Sequence, residues 1–306
     1  MGYSWLFTFV AYDTAGPTLQ RNEALRVITY NVQQLPLEML NRYPNSKYRA
    51  KRQAELLINY DIVGLNEAFV DRRRQEMKEI FQEAWGNDLH VVTADERDRS
   101  LLGLDSGLLL ITRLPVLASH ALTFGNDSKV RERGLVADGY ARKGALHARV
   151  LYTSPEHREI TLDCFLTHLE SVDSGRREEQ VSMLAQFMKQ HSLAENPILL
   201  LGDLNIAGGP QESANQDSPY WRLRRELQRV RVSWIDIGNE IGADNRSTFN
   251  ANSATGGQRL DYIFFSDSIC DTTLTVLSSS VQKFADPHVE FLSDHSALEA
   301  EFEWGK

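Results

Sequence analysis

The stretch Pro197–Asn205 reads PILLLGDLN and joins a continuous apolar run to an acidic and an amide side chain. Such a run, closed by Gly202, is typical of a short strand that is buried on both faces. A buried strand gains no stability from a carboxylate at its tip unless that group is paired or binds a ligand. We therefore predict that this strand delivers Asp203 and Asn205 to a functional site.

Further predicted strands also carry a chemically capable polar residue at one end. These residues are Asn31, Glu67, His168 and Asp261. Each has a plain alternative, because an isolated polar residue after a strand is usually a solvated loop residue or a helix cap. Strand ends are also where scaffolds commonly gather catalytic groups, so the repeated pattern favours one shared site.

The types of donor in this set indicate a hard divalent cation. Carboxylate and amide oxygens suit Mg²⁺, and Mn²⁺ accepts similar ligands. Cysteine pairs with zinc-site spacing and the HExxH motif do not occur, which argues against a structural zinc site or a zinc protease. We interpret the histidines outside the pattern as ordinary histidines: His90, His120, His147, His157, His191 and His288.

Strands outnumber helices in the predicted element order, and helices come between groups of strands. This order is typical of an α/β sandwich, two packed sheets with helices outside. The predicted helices are Tyr48–Tyr60, a segment that includes Met77–Ala84, Ser174–His191 with Asp173 or Ser174 as its N-cap, and Pro219–Gln228. The predicted strands are Arg26–Asn31, Asp61–Asn66, Gly107–Thr112, Val116–Leu122, Ala145–Tyr152, Ile160–His168, Pro197–Leu201, Arg259–Ser266, Thr272–Leu277 and Ala297–Trp304.

Composition bounds the number of domains and the class of partner. The chain has 306 residues, with 33 basic and 42 acidic residues and a net charge of -9. A protein that binds nucleic acid non-specifically usually carries a basic surface, so this charge weakens a nuclease interpretation. It does not exclude one, because a bound metal ion masks acidic charge locally. Without repeats or shifts in composition, we expect a single domain over residues 26–306 after an N-terminal extension of residues 1–25.

Neither the cysteines nor the apolar segments indicate a disulfide framework or a membrane span. Cys164 and Cys270 lie in or beside apolar runs, and we interpret both as small buried hydrophobic residues. The apolar run Trp5–Val10 is too short to cross a bilayer and lacks a basic region before it, which argues against a secretory signal. We expect a soluble protein, and its compartment stays open between cytoplasm and secretion with peripheral membrane contact.

Taken together, the motifs resemble those of the endonuclease/exonuclease/phosphatase superfamily. The motifs occur in the superfamily's order: Asn31, Glu67, Thr167-His168, Gly202-Asp203-Leu204-Asn205, Leu260-Asp261-Tyr262 and Ser293-Asp294-His295. GDLN and SDH carry most of the resemblance, since the other motifs are weak when taken singly. The resemblance implies a DNase I-like four-layer α/β/β/α sandwich with two packed, mostly antiparallel sheets. It also implies metal-dependent cleavage of phosphate esters.

The resemblance also implies a catalytic role for four of these residues. His295 is the expected general base, since an imidazole titrates near neutral pH. In the superfamily, an aspartate that matches Asp261 orients this histidine. Asp203 acts at the attacking or leaving oxygen, and His168 donates to a non-bridging phosphoryl oxygen.

The remaining expected roles concern the metal and the substrate. Glu67, with Asn31 nearby, is expected to hold the Mg²⁺ that polarises a phosphoryl oxygen. Asp294 is expected either to be a secondary ligand of the metal or to hydrogen-bond to the groups that bind it. The alternative is that Asp294 is an ordinary turn residue. Asn205 is expected to bind a non-bridging oxygen of the substrate.

Within the superfamily, three local segments look like neutral sphingomyelinases. The segments are Leu104–Val116 with its basic-x-Pro turn, Asp138–Ala145 with Lys143-Gly144 opening a strand, and Thr167–Glu170 followed by Arg176 and Gln180. The resemblance implies that Lys143 binds the lipid phosphate, while a solvated lysine is the alternative. Asn66 and Glu170 depart from the sphingomyelinase pattern, in which both positions are often Gln.

The sequence therefore predicts a Mg²⁺-dependent phosphodiesterase that acts on a phospholipid at a membrane surface. The expected reaction converts sphingomyelin to ceramide and phosphocholine. A Mg²⁺-dependent endonuclease or another phosphoesterase on the same scaffold is the nearest alternative, and a catalytically silent binding protein is a third. The oligomeric state stays open.

Overall fold

Two six-stranded sheets form the centre of the computed structural model. The structure describes residues 24–94, 105–125, 142–154, 156–241, 247–249, 257–268 and 274–304. The first sheet has the strand order β11-β14-β1-β2-β4-β3, and the second has the order β5-β6-β7-β8-β10-β9. Each sheet contains one parallel pair, β1–β2 or β7–β8, and its other pairs are antiparallel.

The strands of the first sheet are β1 (Leu25–Gln34), β2 (Ile62–Ala68), β3 (His90–Thr93), β4 (Leu109–Thr112), β11 (Leu274–Gln282) and β14 (Ala297–Trp304). Those of the second sheet are β5 (Val116–Thr123), β6 (Gly144–Thr153), β7 (Glu159–His168), β8 (Ile198–Asp203), β9 (Ile235–Asp236) and β10 (Asp261–Ser266). A separate hairpin consists of β12 (Ala285–Asp286) and β13 (Glu290–Phe291).

The longer helices begin where capping side chains and apolar periodicity predict them. Asp173 accepts hydrogen bonds from the backbone N–H groups of Gly175 and Arg176, as an N-cap does. The α-helices are α1 (Ser46–Leu57), α2 (Asp71–Trp85), α3 (Ser174–His191), α4 (Pro210–Ala214), α5 (Pro219–Gln228) and α6 (Ile237–Glu240). Short 3₁₀ helices cover Glu38–Leu40 and Gly86–Asp88.

Three apolar clusters separate four layers. Leu110 and Leu166 belong to the middle cluster, which lies between the two sheets. Phe81 of α2 belongs to the cluster between the first sheet and helices α1 and α2. Leu184 of α3 and Leu223 of α5 belong to the cluster on the outer face of the second sheet. The predicted DNase I-like α/β/β/α sandwich is therefore confirmed.

Most predicted elements lie within a few residues of their observed bounds. Ser174–His191, Pro219–Gln228 and Ala297–Trp304 agree at both ends. The strand predicted from Gly107 begins at Leu109, because Gly107 has a φ of 67° and packs against the Phe69 ring. Strand β3 was not predicted, since four residues are too few to show periodicity.

Some sequence predictions concern residues that the structure does not describe. Residues 1–23, Leu104, residues 138–141 and Cys270 lie outside the described ranges. The domain division therefore stays a prediction, as do the first half of the Asp138–Ala145 segment and the burial of Cys270. Cys164 is fully buried, as predicted.

Gly202 allows strands β7 and β8 to lie close together next to the predicted site. It pairs with Thr167 in the parallel register and has a φ of 135°. A Cβ at this position would lie 2.0 Å from the carbonyl oxygen of Thr167. Any other residue at this position would therefore strain the backbone or force strands β7 and β8 apart.

We expect Gly202→Ala to lower the free energy of unfolding by at least about 1–3 kcal/mol, because the backbone conformation is strained for alanine and the Cβ clashes with a backbone oxygen. Gly125→Ala is the matched control, since a Cβ there meets nothing within 4 Å. Its effect should stay within about 0.5 kcal/mol. Urea denaturation measures both, and equal stability of the two variants would contradict the argument.

Candidate active site

Four strands of the second sheet align their ends in one row. The register places Gly144 of β6 opposite His168 of β7, His168 opposite Asp203 of β8, and Asp203 opposite Asp261 of β10. The backbone alone therefore brings His168, Asp203 and Asp261 to the same edge of the sheet. The positions of these residues along the chain do not predict which strands lie next to one another in the sheet.

Asp203 is at the centre of this edge and is 1% exposed. One carboxylate oxygen, Oδ2, accepts a hydrogen bond from Nδ2 of Asn31 at 3.1 Å. The same oxygen lies 3.6 Å from Nε2 of His168 and 3.7 Å from Nε2 of His295. Burial, and then the charge of Asp261, raise the pKa of Asp203 to about 6. The carboxylate is therefore mostly ionised at neutral pH and faces two imidazoles.

His295 is held by Asp261 in a fixed orientation. Its Nδ1 lies 2.8 Å from Oδ2 of Asp261, whose side chain is fully buried. This hydrogen bond assigns Nδ1 as the donor and leaves Nε2 facing Asp203. Burial lowers the pKa of His295, but Asp261 and Asp203 raise it more strongly, and the net result is about 10. The imidazole therefore carries a proton on Nε2 at neutral pH in the metal-free site.

His168 is also buried, but its charge state is the opposite. Burial and the positive charges of Lys143 and His295 hold the pKa of His168 well below its usual value, so the ring is neutral. Nζ of Lys143 lies 3.0 Å from Nε2 of His168 and 3.3 Å from Nδ1. Lys143 is itself only 1% exposed, which contradicts the alternative of a solvated lysine.

Two carboxylates face each other across the other side of the site. Glu67 follows the buried part of β2 with a φ of 57°. Burial, and then the charge of Asp294, raise the pKa of Glu67 to about 7, while Lys143, His295 and a hydrogen bond with Asn31 lower it. Asp294 accepts a hydrogen bond from Nε2 of Gln33 at 2.7 Å.

The residues on this side fit a hard divalent cation. Oxygens on this side come from the carboxylates of Glu67 and Asp294, and carboxylate oxygens are ligands of Mg²⁺. Oδ1 of Asn31 accepts the Gln33 N–H at 3.1 Å and keeps a second lone pair for a ligand. Burial and then the charge of Asp294 raise the pKa of Glu67, and a cation beside these carboxylates would offset part of that charge. Asp203, Asp261 and His295 also place ligand atoms within 4.8 Å of one another, but the Asp261–His295 hydrogen bond occupies two of these atoms.

Asn205 closes the site beyond β8. It has a φ of 50°, a conformation that asparagine tolerates better than most residues. Its backbone N–H donates to Oδ1 of Asp203 at 3.0 Å, and its Nδ2 donates to the carbonyl of Leu169 at 2.9 Å. One amide hydrogen remains for a ligand.

All nine sequence-predicted residues lie in one connected group of contacts and charges. They are Asn31, Glu67, Lys143, His168, Asp203, Asn205, Asp261, Asp294 and His295. The structure shows their proximity, and their roles stay predictions.

Sequence reasoning missed residues that hold this group in place. Asn66 joins the two sheets, since its Nδ2 donates to the Thr167 carbonyl at 2.8 Å and its Oδ1 accepts from the Asp203 N–H at 3.2 Å. Ser293 donates to the Asn31 carbonyl at 2.7 Å. The burial of Asn66 in an apolar run was the available signal for its role.

Comparison with known families now adds to this geometry. The sequence profile of the endonuclease/exonuclease/phosphatase family matches residues 28–295. The chain belongs to the endonuclease/exonuclease/phosphatase family. The matched region includes every residue of the site.

Solved structures of the same fold include proteins that differ in their substrates. Sphingomyelinase C from Streptomyces griseocarneus is 18% identical with a TM-score of 0.64, over 91% of this chain and 99% of that chain. A variant of the Staphylococcus aureus beta toxin with bound magnesium ions is 17% identical with a TM-score of 0.63, over 92% and 100%. D. rerio TDP2 in complex with a single-strand DNA product is 15% identical with a TM-score of 0.61, over 92% and 100%. At these identities the likeness shows the fold alone.

A search of curated proteins gives no significant match. Among the described residues, no helix has the length and apolar character that a membrane span requires.

We expect the imidazole of His295 to titrate near pH 10 in the metal-free protein, because the charges of Asp261 and Asp203 stabilise its protonated form. Asp261→Asn should lower this pKa, since it removes a charge and weakens a charge-assisted hydrogen bond. NMR titration of the histidine ring signals measures both values. Asp217→Asn, at an exposed position outside the site, is the control. A His295 pKa near 6.5 in the unmodified protein would contradict the geometry.

Proposed function

We propose that this protein is a Mg²⁺-dependent phosphodiesterase that hydrolyses sphingomyelin to ceramide and phosphocholine. The observation that carries the phosphodiesterase assignment is the convergence of the nine site residues on Asp203. Through linked contacts and charges they provide an oriented imidazole, a neutral imidazole, a buried lysine and the carboxylates of Glu67 and Asp294. Phosphoryl transfer needs these groups to position a water and to balance developing negative charge.

The proposed ligands of Mg²⁺ are Glu67, Asn31 and, less directly, Asp294. When bound, the ion polarises a phosphoryl oxygen and neutralises part of its charge. Lys143 and His168 lie across from these residues, and Asn205 has an amide hydrogen to spare. We assign these three side chains to the non-bridging oxygens of the substrate.

His295 and Asp203 are the proposed proton carriers. Nε2 of His295 faces Oδ2 of Asp203 at 3.7 Å, a gap at which a substrate oxygen or water can contact both groups. In its neutral form, His295 takes a proton from the attacking water while the water oxygen forms its bond to phosphorus. The bond from phosphorus to the leaving alcohol oxygen breaks, and that oxygen receives the proton that the His295 imidazolium returns by way of Asp203. The orientation by Asp261 keeps Nε2 available for this exchange.

A phospholipid substrate is supported by exposed apolar side chains beside the site. Leu37, Met39 and Leu40 are 58%, 86% and 41% exposed and follow the end of β1 that carries Asn31. Val172, 49% exposed, follows the end of β7 that carries His168. The segment that carries Leu37, Met39 and Leu40 is linked to the site. The Arg42 N–H donates to the Gln33 side chain, which in turn donates to Asp294. Apolar loops around a site suit a membrane surface better than a duplex backbone.

We expect the protein to release phosphocholine from sphingomyelin vesicles in the presence of Mg²⁺. Lysophospholipid and plasmid DNA are offered in parallel under the same conditions. His295→Ala should lower turnover by about 10²–10⁴-fold because a proton carrier is lost. It should also lower the thermal midpoint, because the buried Asp261 carboxylate loses its imidazole partner. DNA nicking without lipid turnover would replace the lipid proposal with the nuclease alternative.

The apolar loop gives this assay a matched control. Met39→Gln removes an exposed apolar side chain and leaves every proposed catalytic group in place. It should lower the rate on vesicles and leave the rate on a soluble chromogenic phosphodiester unchanged. An equal effect on both substrates would argue against surface docking through this loop.

We expect Glu67→Gln to raise the Mg²⁺ concentration for half-maximal activity by about tenfold or more, because a charged ligand becomes a neutral one. Calorimetric titration of Mg²⁺ provides the same comparison without turnover. Glu79→Gln on the exposed face of α2 is the control. An unchanged Mg²⁺ titration would remove Glu67 from the ligand set.

A further inference from the structure

A second group of imidazoles lies outside the active site, on the outer face of the second sheet. His120 of β5 is directly opposite His147 of β6, and His191 is the last residue of α3. Their ligand-capable nitrogens lie within 4.8 Å of one another. The His147 ring contacts Phe165, whose side chain belongs to the apolar cluster under α3. The group therefore faces the helix layer, away from the neighbouring sheet.

Asp163 fixes which nitrogen of His147 carries the proton. Nε2 of His147 lies 2.8 Å from Oδ1 of Asp163, and both side chains are fully buried. Arg149 and Asn196 also donate to this carboxylate, each at 2.9 Å. Although burial raises the pKa of Asp163, these donors lower it further, so the carboxylate is ionised. Nε2 of His147 is thus the donor, and its Nδ1 directs a lone pair towards His120.

The two outer histidines have room to serve as ligands. Nδ1 of His120 lies 3.1 Å from Nδ1 of His147, and the His120 and His191 rings stack with centroids 3.9 Å apart. Burial and the neighbouring imidazoles lower the pKa of both rings, which favours the neutral form that binds metals. His120 is exposed and His191 is partly exposed, and the ligand-capable nitrogens of all three histidines already lie within 4.8 Å of one another.

We propose that His120, His147 and His191 form a binding site for a transition-metal ion such as Zn²⁺. Imidazole suits Zn²⁺, Cu²⁺ and Ni²⁺, whereas Mg²⁺ prefers oxygen ligands. A buried carboxylate that receives the second N–H of a histidine is the usual support of a metal-binding imidazole. Three histidines leave one tetrahedral position for solvent, and the exposure of His120 provides an entry path.

The proposed ion would add a link between strand β5 and the helix layer, to which β6 is already joined by the hydrogen bond from Arg149 to the His191 carbonyl. Strand β5 is at the edge of the second sheet and pairs with β6. A metal shared by β5, β6 and the end of α3 would fasten this edge strand to the helix layer. Since the ion would bind the folded state preferentially, binding should stabilise the fold.

The test measures Zn²⁺ binding by calorimetry on chelator-treated full-length protein in the presence of excess Mg²⁺. We expect the double variant His120→Gln/His191→Gln to lose one equivalent of Zn²⁺ and the accompanying rise in melting temperature. His90→Gln, at a histidine of the other sheet, is the matched control and should keep both. Equal stoichiometry and affinity in the unmodified protein and the double variant would overturn the proposal.

A second variant tests the supporting carboxylate. Asp163→Asn keeps the side-chain shape and should weaken Zn²⁺ binding by about 10- to 100-fold. Replacing Zn²⁺ with Co²⁺ should give the visible absorption of a tetrahedral nitrogen site in the unmodified protein and not in the double variant. Co²⁺ absorption that persists in the double variant would place the ion elsewhere and overturn the proposal. These readouts do not depend on phosphodiesterase activity.

Discussion

A buried carboxylate shared between the two sheets is the constraint on which the site depends. Asp203 belongs to the second sheet, and Asn31 of the first sheet donates to it. Asn66, also of the first sheet, bonds to the backbone of β7 and β8 beside it. Hydrogen bonds to charged groups contribute about 1.5–3 kcal/mol each, and an unpaired buried charge costs several kcal/mol. The sheets therefore cannot separate at this edge without leaving Asp203 poorly paired, which keeps the surrounding side chains in place.

The sequence predicted the layers and the membership of the site because both depend on local patterns. Continuous apolar runs predicted β2 and β8, and the polar residue at each strand end predicted Glu67 and Asp203. The alignment of His168, Asp203 and Asp261 depends on strand register, which no local pattern shows. Lys143 is a related case, since its burial against His168 follows from the pairing of β6 with β7.

The grouping of His120, His147 and His191 could not be predicted from the sequence for the same reason. His120 and His147 are 27 residues apart in the chain and meet through an antiparallel register. His191 reaches them through the packing of a helix. Spacing rules for metal sites detect ligands that share a turn or a helix, so ligands gathered by tertiary structure escape them.

The proposed substrate choice depends on different residues from the proposed chemistry. The same fold is found in a sphingomyelinase and in a protein solved with a DNA product, so the shared scaffold does not select between them. In this chain the row of His168, Asp203 and Asp261 is built from strands, whereas the exposed Met39 lies in a short 3₁₀ helix and Val172 in a loop. Such connecting segments can change without disturbing the row, so a change of substrate would not require a change of the row.

The charges of the resting site link metal binding to proton transfer. The four carboxylates of Glu67, Asp203, Asp261 and Asp294 outnumber the cations Lys143 and His295, which leaves an excess of negative charge. Burial and then the charge of Asp294 raise the pKa of Glu67, while Asp261 and Asp203 raise the pKa of His295 against the effect of burial. Positive charge placed beside Glu67 and Asp294 would offset part of this excess. It would lower the pKa of His295 towards neutrality and thus increase the fraction of its basic form. A divalent cation at Glu67 would therefore polarise the phosphoryl group and prepare the base through the same electrostatic field.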